Sequence, residues 1–293
     1  MTTSSVVDWR RRILTLVVGV PLALWLLASD VGMLLLVALV CALCLLEFGD
    51  NMCSQIVPGR HALATRLSHR VLVLAAGVSV CVAAWSGSKD VHDAVMALAT
   101  LVVILYHLLH TSKLDQHAMT LLLLDLFALL FIVSGLSHAI LLRYAHPQYG
   151  MGLQIMGLVS AWVCDSGALV AGAFFGHAKL APAISPGKTV VGALAGIVSS
   201  VATVLAFFTL SSVGPERFFA DFLPPMPMWS QIILGATLGV LCILGDLVES
   251  YMKRVAGVKD SGVFFPGHGG CLDRMDSVLL AAPFLYFYTH FAL

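Results

Sequence analysis

Charge is scarce in this sequence. Of 293 residues, 16 are Lys or Arg and 16 are Asp or Glu, so charged residues make up 11% and the formal net charge is zero. Soluble domains carry roughly 25% charged residues. With 59% hydrophobic residues and a mean hydropathy of +0.96, the chain holds too much apolar surface for one water-soluble core. The zero net charge by itself says nothing about nucleic acid, and no nucleic-acid partner is expected of a chain this apolar. Cysteine spacing of the zinc type is also lacking. Cys41, Cys44, Cys53, Cys81, Cys164, Cys242 and Cys271 are scattered, mostly within apolar runs. They read as small buried hydrophobes. The G-x-x-x-x-G-K-[ST] pattern is missing, which excludes a P-loop ATPase. No internal repeat, low-complexity tract or separate soluble domain is visible.

Long hydrophobic runs are what the chain does have. A transmembrane helix needs about 20 apolar residues. Nine segments qualify, near 13–28, 31–48, 71–87, 91–110, 118–142, 151–175, 190–210, 229–251 and 274–293. The fold expected is therefore all-α, a polytopic integral membrane protein of about nine transmembrane helices. The first two are expected to form a tight hairpin around Ser29-Asp30. Arg10-Arg11-Arg12 before the first run imitates a signal peptide, but no small-x-small cleavage site follows, so this run reads as a retained span. With a cytoplasmic N-terminus, the inner side receives Arg10, Arg11, Arg12, Arg60, Arg66, Arg70, Lys113, Lys179, Lys188, Lys253, Arg254, Lys259 and Arg274. Only Lys89, Arg143 and Arg217 fall outside. Basic residues favour the cytoplasmic side, so this orientation is expected. Residues 1–293 read as one membrane domain, with N-terminal helices over 1–150 and the chemistry over 151–293. The segment 211–226 reads as an outer interfacial loop.

The few charges are concentrated. Between Asp246 and Asp276 lie five acids, four basic residues, a histidine and a Gly-Gly step. Charge near membrane depth is costly and marks sites that do something. Asp246, Ser250 and Lys253 fall at i, i+4 and i+7 on one helix face, with Glu249 on the adjoining edge. Lys253-Arg254 and Lys259 follow. Next comes the glycine-rich Pro266-Gly267-His268-Gly269-Gly270, whose backbone N–H groups can approach phosphate closely. Asp273-Arg274-Met275-Asp276 then opens the last apolar run, and its two acids share one side of a helix start. Acids beside cations at this density suit a phosphate and a divalent cation held together.

Upstream, Asp165 sits inside the sixth span, followed by Gly167, Ala168, Ala171, Gly172 and Ala173, small residues that permit close helix packing. Ser185, Lys188 and Thr189 at the cytoplasmic mouth offer hydroxyls and an ammonium to phosphate oxygens. Glu47, Asp125 and His138 are left to pair with one another or to line a cavity. His107, His110 and His117 read as surface histidines, and Phe284, Tyr286, Phe287, Tyr288 and Phe291 as an interfacial aromatic belt.

From Ser250 to Asp276 the chain resembles the signature of the phosphatidate cytidylyltransferase (CDP-diacylglycerol synthase) family. That pattern is Ser, two residues, Lys-Arg, four residues, Lys-Asp, a short spacer, Pro or Gly, x-His-Gly-Gly and Asp-Arg-x-Asp. It is met by Ser250, Lys253, Arg254, Lys259, Asp260, Pro266, His268, Gly269, Gly270, Asp273, Arg274 and Asp276. Asp165, Phe175-Gly176, Lys179-Leu180, Pro182, Ile184-Ser185-Pro186, Lys188-Thr189 and Gly192 also resemble the family. Cys271, Gly187, Val191 and His177-Ala178 depart from it, near the expected nucleotide or lipid entrance.

The resemblance implies that CTP and phosphatidate give CDP-diacylglycerol and pyrophosphate. It implies Mg2+, with or without a monovalent cation beside it, and a homodimer in a bacterial inner membrane with its site facing the cytoplasm. Asp246 and Asp273 are the expected metal ligands, supported by Asp276 and Asp165. Lys253, Arg254 and Lys259 are expected to act on the phosphates. Ser185, Lys188, Thr189, Ser250, His268, Gly269, Gly270 and Arg274 are expected to bind substrate. Three alternatives stay open: a paralogue acting on another lipid phosphate, a transporter using Asp125, Asp165 and Asp246, and a non-catalytic lipid-binding or scaffold protein descended from the enzyme. Transporters usually place such groups near the midplane of repeated halves, whereas here they crowd one mouth.

Overall fold

The computed structural model describes residues 20–57, 67–111, 113–213, 222–264 and 269–292. Arg10, Arg11, Arg12, Arg60, Arg66, Arg217, His268, residues 13–19 of the first expected span and residues 214–221 of the expected outer loop lie outside these ranges.

Helices α1 (Val20–Ala28) and α2 (Asp30–Glu47) meet at Ser29, whose hydroxyl accepts the Gly32 N–H at 3.1 Å and caps α2. The expected hairpin point is therefore a helix cap. A π-helical turn, Phe48–Cys53, continues α2 to Ile56. Then come α3 (Leu67–Trp85), α4 (Lys89–His110), α5 (Gln116–Ala128), a second π turn (Leu129–Val133) and α6 (Ser134–Ala145). Ser88 and Asp115 cap α4 and α5. The second half consists of α7 (Gly150–Phe175), strands β1 (Lys179–Ala181) and β2 (Ser185–Thr189), α8 (Val190–Val213), α9 (Met228–Val255) and α10 (Leu272–Ala292).

Among the described residues, seven helical stretches are long and apolar enough to cross a membrane, beginning at Asp30, Leu67, Lys89, Gln116, Gly150, Val190 and Met228. The chain is thus an all-α, polytopic integral membrane protein. The first and last of the nine expected segments correspond to α1, described only from Val20, and to α10, which opens with Asp273, Arg274 and Asp276. The expected loop between Lys179 and Lys188 is instead a small antiparallel hairpin, pairing Lys179 with Thr189 and Ala181 with Ser185.

The outside of the bundle is apolar and part of its inside is polar. Leu194 and Val198 on α8 are 60% and 66% exposed. Such a surface belongs in lipid, where helices satisfy their own backbone groups. Small residues draw the second-half helices together. A Cβ on Gly239 of α9 would lie 2.8 Å from the Ile197 Cα of α8, and one on Gly167 of α7 would lie 2.2 Å from the Ser199 hydroxyl of α8. This is the close approach expected of the small residues after Asp165. α10 packs against α6, α7 and α9 and joins the two halves.

The ends of the bundle differ. At one end lie the C-terminus of α2, the start of α3, the end of α4, the hairpin, the end of α9 and the start of α10. Arg70, Lys188, Lys253, Arg254 and Arg274 are all there. At the other end, Arg143 donates to the Leu27 carbonyl, and the Tyr144 hydroxyl donates to Asp30 O at 2.9 Å.

All seven cysteines are buried and free, as expected. Three other expectations are corrected. Tyr286 is 2% exposed, packed between His138 and His290, and not part of an interfacial belt. His107 is buried and bonded to Asp125, because α3, α4 and α5 enclose the end of α4. Glu47 pairs with neither Asp125 nor His138; it reaches the start of α10 instead.

Candidate functional site

The site forms where α9 ends and α10 begins. Gly245 sets the distance between them: a Cβ there would lie 2.2 Å from the Asp276 carbonyl oxygen. Its absence lets the two backbones touch, so Asp246, the next residue, comes up against Asp276. Glu249 sits one turn along α9. The carboxylate oxygens of Asp246, Glu249 and Asp276 lie within 4.8 Å of one another.

Two lysines hold this trio. Lys188, from β2, reaches Asp246 Oδ2 at 2.5 Å. Lys253, one turn beyond Glu249, pairs with Glu249 Oε2 and with Asp273 Oδ1 at 2.7 Å. The hairpin that carries Lys188 is anchored to the end of α9, where Arg254 Nε donates to the Ile184 carbonyl at 3.1 Å. The Ser250 hydroxyl donates to Asp246 Oδ1 at 3.2 Å, realising the helical stripe read from the sequence.

Asp273 lies at the same place, bonded to the loop that follows α9. Its Oδ1 accepts Lys253, and its Oδ2 accepts the N–H groups of Ser261 at 3.0 Å and Gly270 at 2.7 Å. Ser261 Oγ in turn accepts the Asp273 N–H at 3.2 Å. Gly269 reaches this turn with φ +84°, a conformation that favours glycine. Both Asp273 oxygens clasp the loop after α9 onto α10. Among the described residues, the carboxylates grouped with Asp246 are those of Glu249 and Asp276. Asp165 is linked to the trio indirectly: the Ser277 hydroxyl donates to Asp165 Oδ2 at 2.9 Å, and the Ser277 N–H donates to Asp276 Oδ1 at 2.8 Å.

The remaining expected residues divide in three. Lys259, Arg254 and Arg274 are exposed at the same end of the bundle. The Thr189 hydroxyl caps α8 by accepting the Gly192 N–H at 3.1 Å, and Ser185 lies at the other end of β2, paired with Ala181. His268 lies outside the described residues.

Sequence reasoning missed Glu47 and Asn51. Glu47 accepts the N–H of Cys271 on Oε1 and of Leu272 on Oε2, both at 2.9 Å, and the Ser261 hydroxyl at 3.3 Å. A carboxylate at a helix N-terminus satisfies orphan N–H groups and meets the positive end of the helix dipole. Asn51, in the π turn, donates to the Ser261 carbonyl at 2.8 Å. The first half of the chain thus grips the loop between α9 and α10 from more than 200 residues away, and only an acid at the end of an apolar run hinted at it. Glu249 was legible as a neighbour of the stripe but not as its centre.

Glu249 is 1% exposed, and its Oε1 accepts no hydrogen bond from the described residues. A buried carboxylate oxygen left without a donor is costly. Four acids, Asp246, Glu249, Asp273 and Asp276, gather here, and Lys188 and Lys253 pair with three of them. This excess of buried oxygen ligands suits a hard divalent cation.

Comparison with known proteins agrees with the geometry. A model of the cytidylyltransferase family matches residues 10–292. A phosphatidate cytidylyltransferase of Haemophilus influenzae is 37% identical over 164 residues, covering 55% of this chain and 54% of its own. The protein of that name from Bacillus subtilis is 42% identical over 140 residues, 48% of each chain. That from Staphylococcus saprophyticus is 30% identical over 214 residues, 73% of this chain and 76% of its own. The match thus spans about half the length of the first two relatives and about three-quarters of the third.

Proposed function

This chain belongs to the cytidylyltransferase family, and from that premise we propose that it transfers the cytidylyl group of CTP to phosphatidate, giving CDP-diacylglycerol and pyrophosphate. The observation that carries the reading is the Asp246, Glu249 and Asp276 trio bracketed by Lys188 and Lys253 at the end of the bundle. The names of the relatives give the substrate class.

A phosphate oxygen of phosphatidate attacks the α-phosphorus of CTP. One P–O bond forms, the bond from the α-phosphorus to its β-bridging oxygen breaks, and pyrophosphate leaves with the electron pair. No covalent enzyme intermediate is needed, since a phosphomonoester is already nucleophilic at neutral pH. The difficulty is bringing two anions together in line, which is a matter of positioning and charge. Asp246, Glu249 and Asp276 would hold Mg2+, which lends positive charge to the phosphate oxygens. Lys188 and Lys253 offer ammonium groups beside that position, and exposed Arg254, Lys259 and Arg274 surround its mouth. Fixed cations aimed at developing negative charge stabilise the transition state. The polar end of the bundle lies in the cytoplasm, where CTP is found, in a bacterial inner membrane. The excess of Lys and Arg at that end supports this orientation. The acyl chains of phosphatidate stay in the bilayer beside the apolar helices, and the protein works as a homodimer.

The test is purified protein in detergent given CTP, Mg2+ and a panel of lipid phosphates. The expected result is equal release of pyrophosphate and CDP-diacylglycerol with phosphatidate. Preferred turnover of a different lipid phosphate would move the reading to a paralogous transferase, and no consumption of CTP with any lipid would overturn it.

A further inference from the structure

The N-terminal helices hold a second polar cluster that cytidylyl transfer does not use. His69 lies in the first turn of α3, His107 in the last turn of α4, and Asp125 within α5. All three are buried, at 9%, 4% and 8% exposed. The Nε2 atoms of both imidazoles converge on one oxygen, Asp125 Oδ2, at 2.7 Å from His69 and 2.6 Å from His107. The two rings meet edge-on, with centroids 5.8 Å apart. Two nitrogens and one oxygen from three helices thus lie within 4.8 Å of one another. A cavity of about 30 Å3 adjoins them, lined in part by His69, Asp125 and Cys53. That is room for a water molecule, which needs about 10–15 Å3 of such space.

We propose that His69, His107 and Asp125 bind a zinc-class transition-metal ion, separate from the all-carboxylate trio at Asp246. The donor types distinguish the two places. Imidazole suits zinc and its first-row neighbours, whereas oxygen-only ligands suit Mg2+. Two histidines and one acid leave a tetrahedral ion one open position, and the cavity has room for the water that fills it. Histidine ligands usually donate their other ring N–H to an outer partner. His107 Nδ1 has none among the described residues, so binding is weaker than in a fully supported zinc centre. The ion ties α3, α4 and α5 together just before the π turn that starts at Leu129. Its role is structural, and it does not depend on the lipid that Asp246, Glu249 and Asp276 serve.

The experiment uses the full chain in detergent, stripped with a chelator and titrated with Co2+ in excess Mg2+. The expected result is one Co2+ per chain with the visible absorption of a tetrahedral ion, removed when Zn2+ is added. His69→Gln and His107→Gln should each lose that absorption, while Asp246→Asn keeps it. Identical absorption in the wild-type and histidine variants would place the ion elsewhere. Less than one equivalent in both wild type and Asp246→Asn would show a metal-free hydrogen-bonded triad. Either outcome overturns the proposal, and the second comparison holds even where a histidine variant fails to purify.

Discussion

The two halves of the molecule each bury a charged cluster, and they build it differently. In the second half, Asp246, Glu249, Ser250 and Lys253 come from two turns of one helix, and Asp273 and Asp276 follow within 30 residues. Helical spacing alone places most of them on one face. In the first half, His69, His107 and Asp125 come one from each of three helices, and no spacing connects them. The first cluster is also left with excess acid and an orphan oxygen at Glu249, while in the second both imidazoles share one carboxylate oxygen. A locally encoded, incompletely satisfied cluster waits for something from outside the chain. A dispersed cluster exists only where three helices pack together, and an ion bound there would tie those helices to one another.

The sharpest way to break this contrast is Asp246→Asn. It removes one member of the trio and weakens the tie to Lys188, yet keeps the side chain's shape. Formation of CDP-diacylglycerol should fall by about 10^2–10^3-fold, the loss typical when a preorganised electrostatic group is removed. Insertion, yield and thermal midpoint should stay near wild type. Full turnover would show that the trio is not where the transfer occurs.

A smaller effect is expected where the halves meet. Glu47→Gln keeps one carbonyl oxygen for the N–H groups of Cys271 and Leu272 but turns an NH2 toward the other. Leaving a buried donor unsatisfied costs about 1–3 kcal/mol. The thermal midpoint should drop, and CDP-diacylglycerol formation should drop with it, because Asp273 and Asp276 lie in the first turns that Glu47 caps. Reduced stability with unchanged turnover would show that the grip is structural alone.

The smallest effect belongs to Arg70→Gln. Arg70 and Asp50 pair at 2.7 Å, but both side chains are well exposed, at 40% and 39%. Such pairs contribute about 0–1 kcal/mol. A shift in thermal midpoint beyond that range would mean that the α2–α3 contact beside the histidine cluster carries more of the fold than its exposure suggests.

The limits of sequence reading can be traced to particular residues. The stripe Asp246, Ser250, Lys253 was legible because an α-helix brings i, i+4 and i+7 together whatever surrounds it, and α9 carries Ser250 bonded to Asp246 as that period requires. The spans were legible because lipid demands long apolar helices. Asp273 was placed at the site, but its commitment to Lys253, Ser261 and Gly270 depends on how the loop after α9 folds back. His107 resembled a surface histidine because its acid partner lies on a different helix.

By itself, then, the amino-acid sequence determined the membrane environment, the helices and the end of the bundle at which charge collects. These follow from composition and from periods of a few residues. Only the tertiary structure decided which acids stand together and that Glu47 closes the start of α10. It also decided that two distant histidines share Asp125. The physical reason is that hydrogen bonds and ion pairs act over about 3 Å, and residues distant in the chain reach that separation only when helices pack.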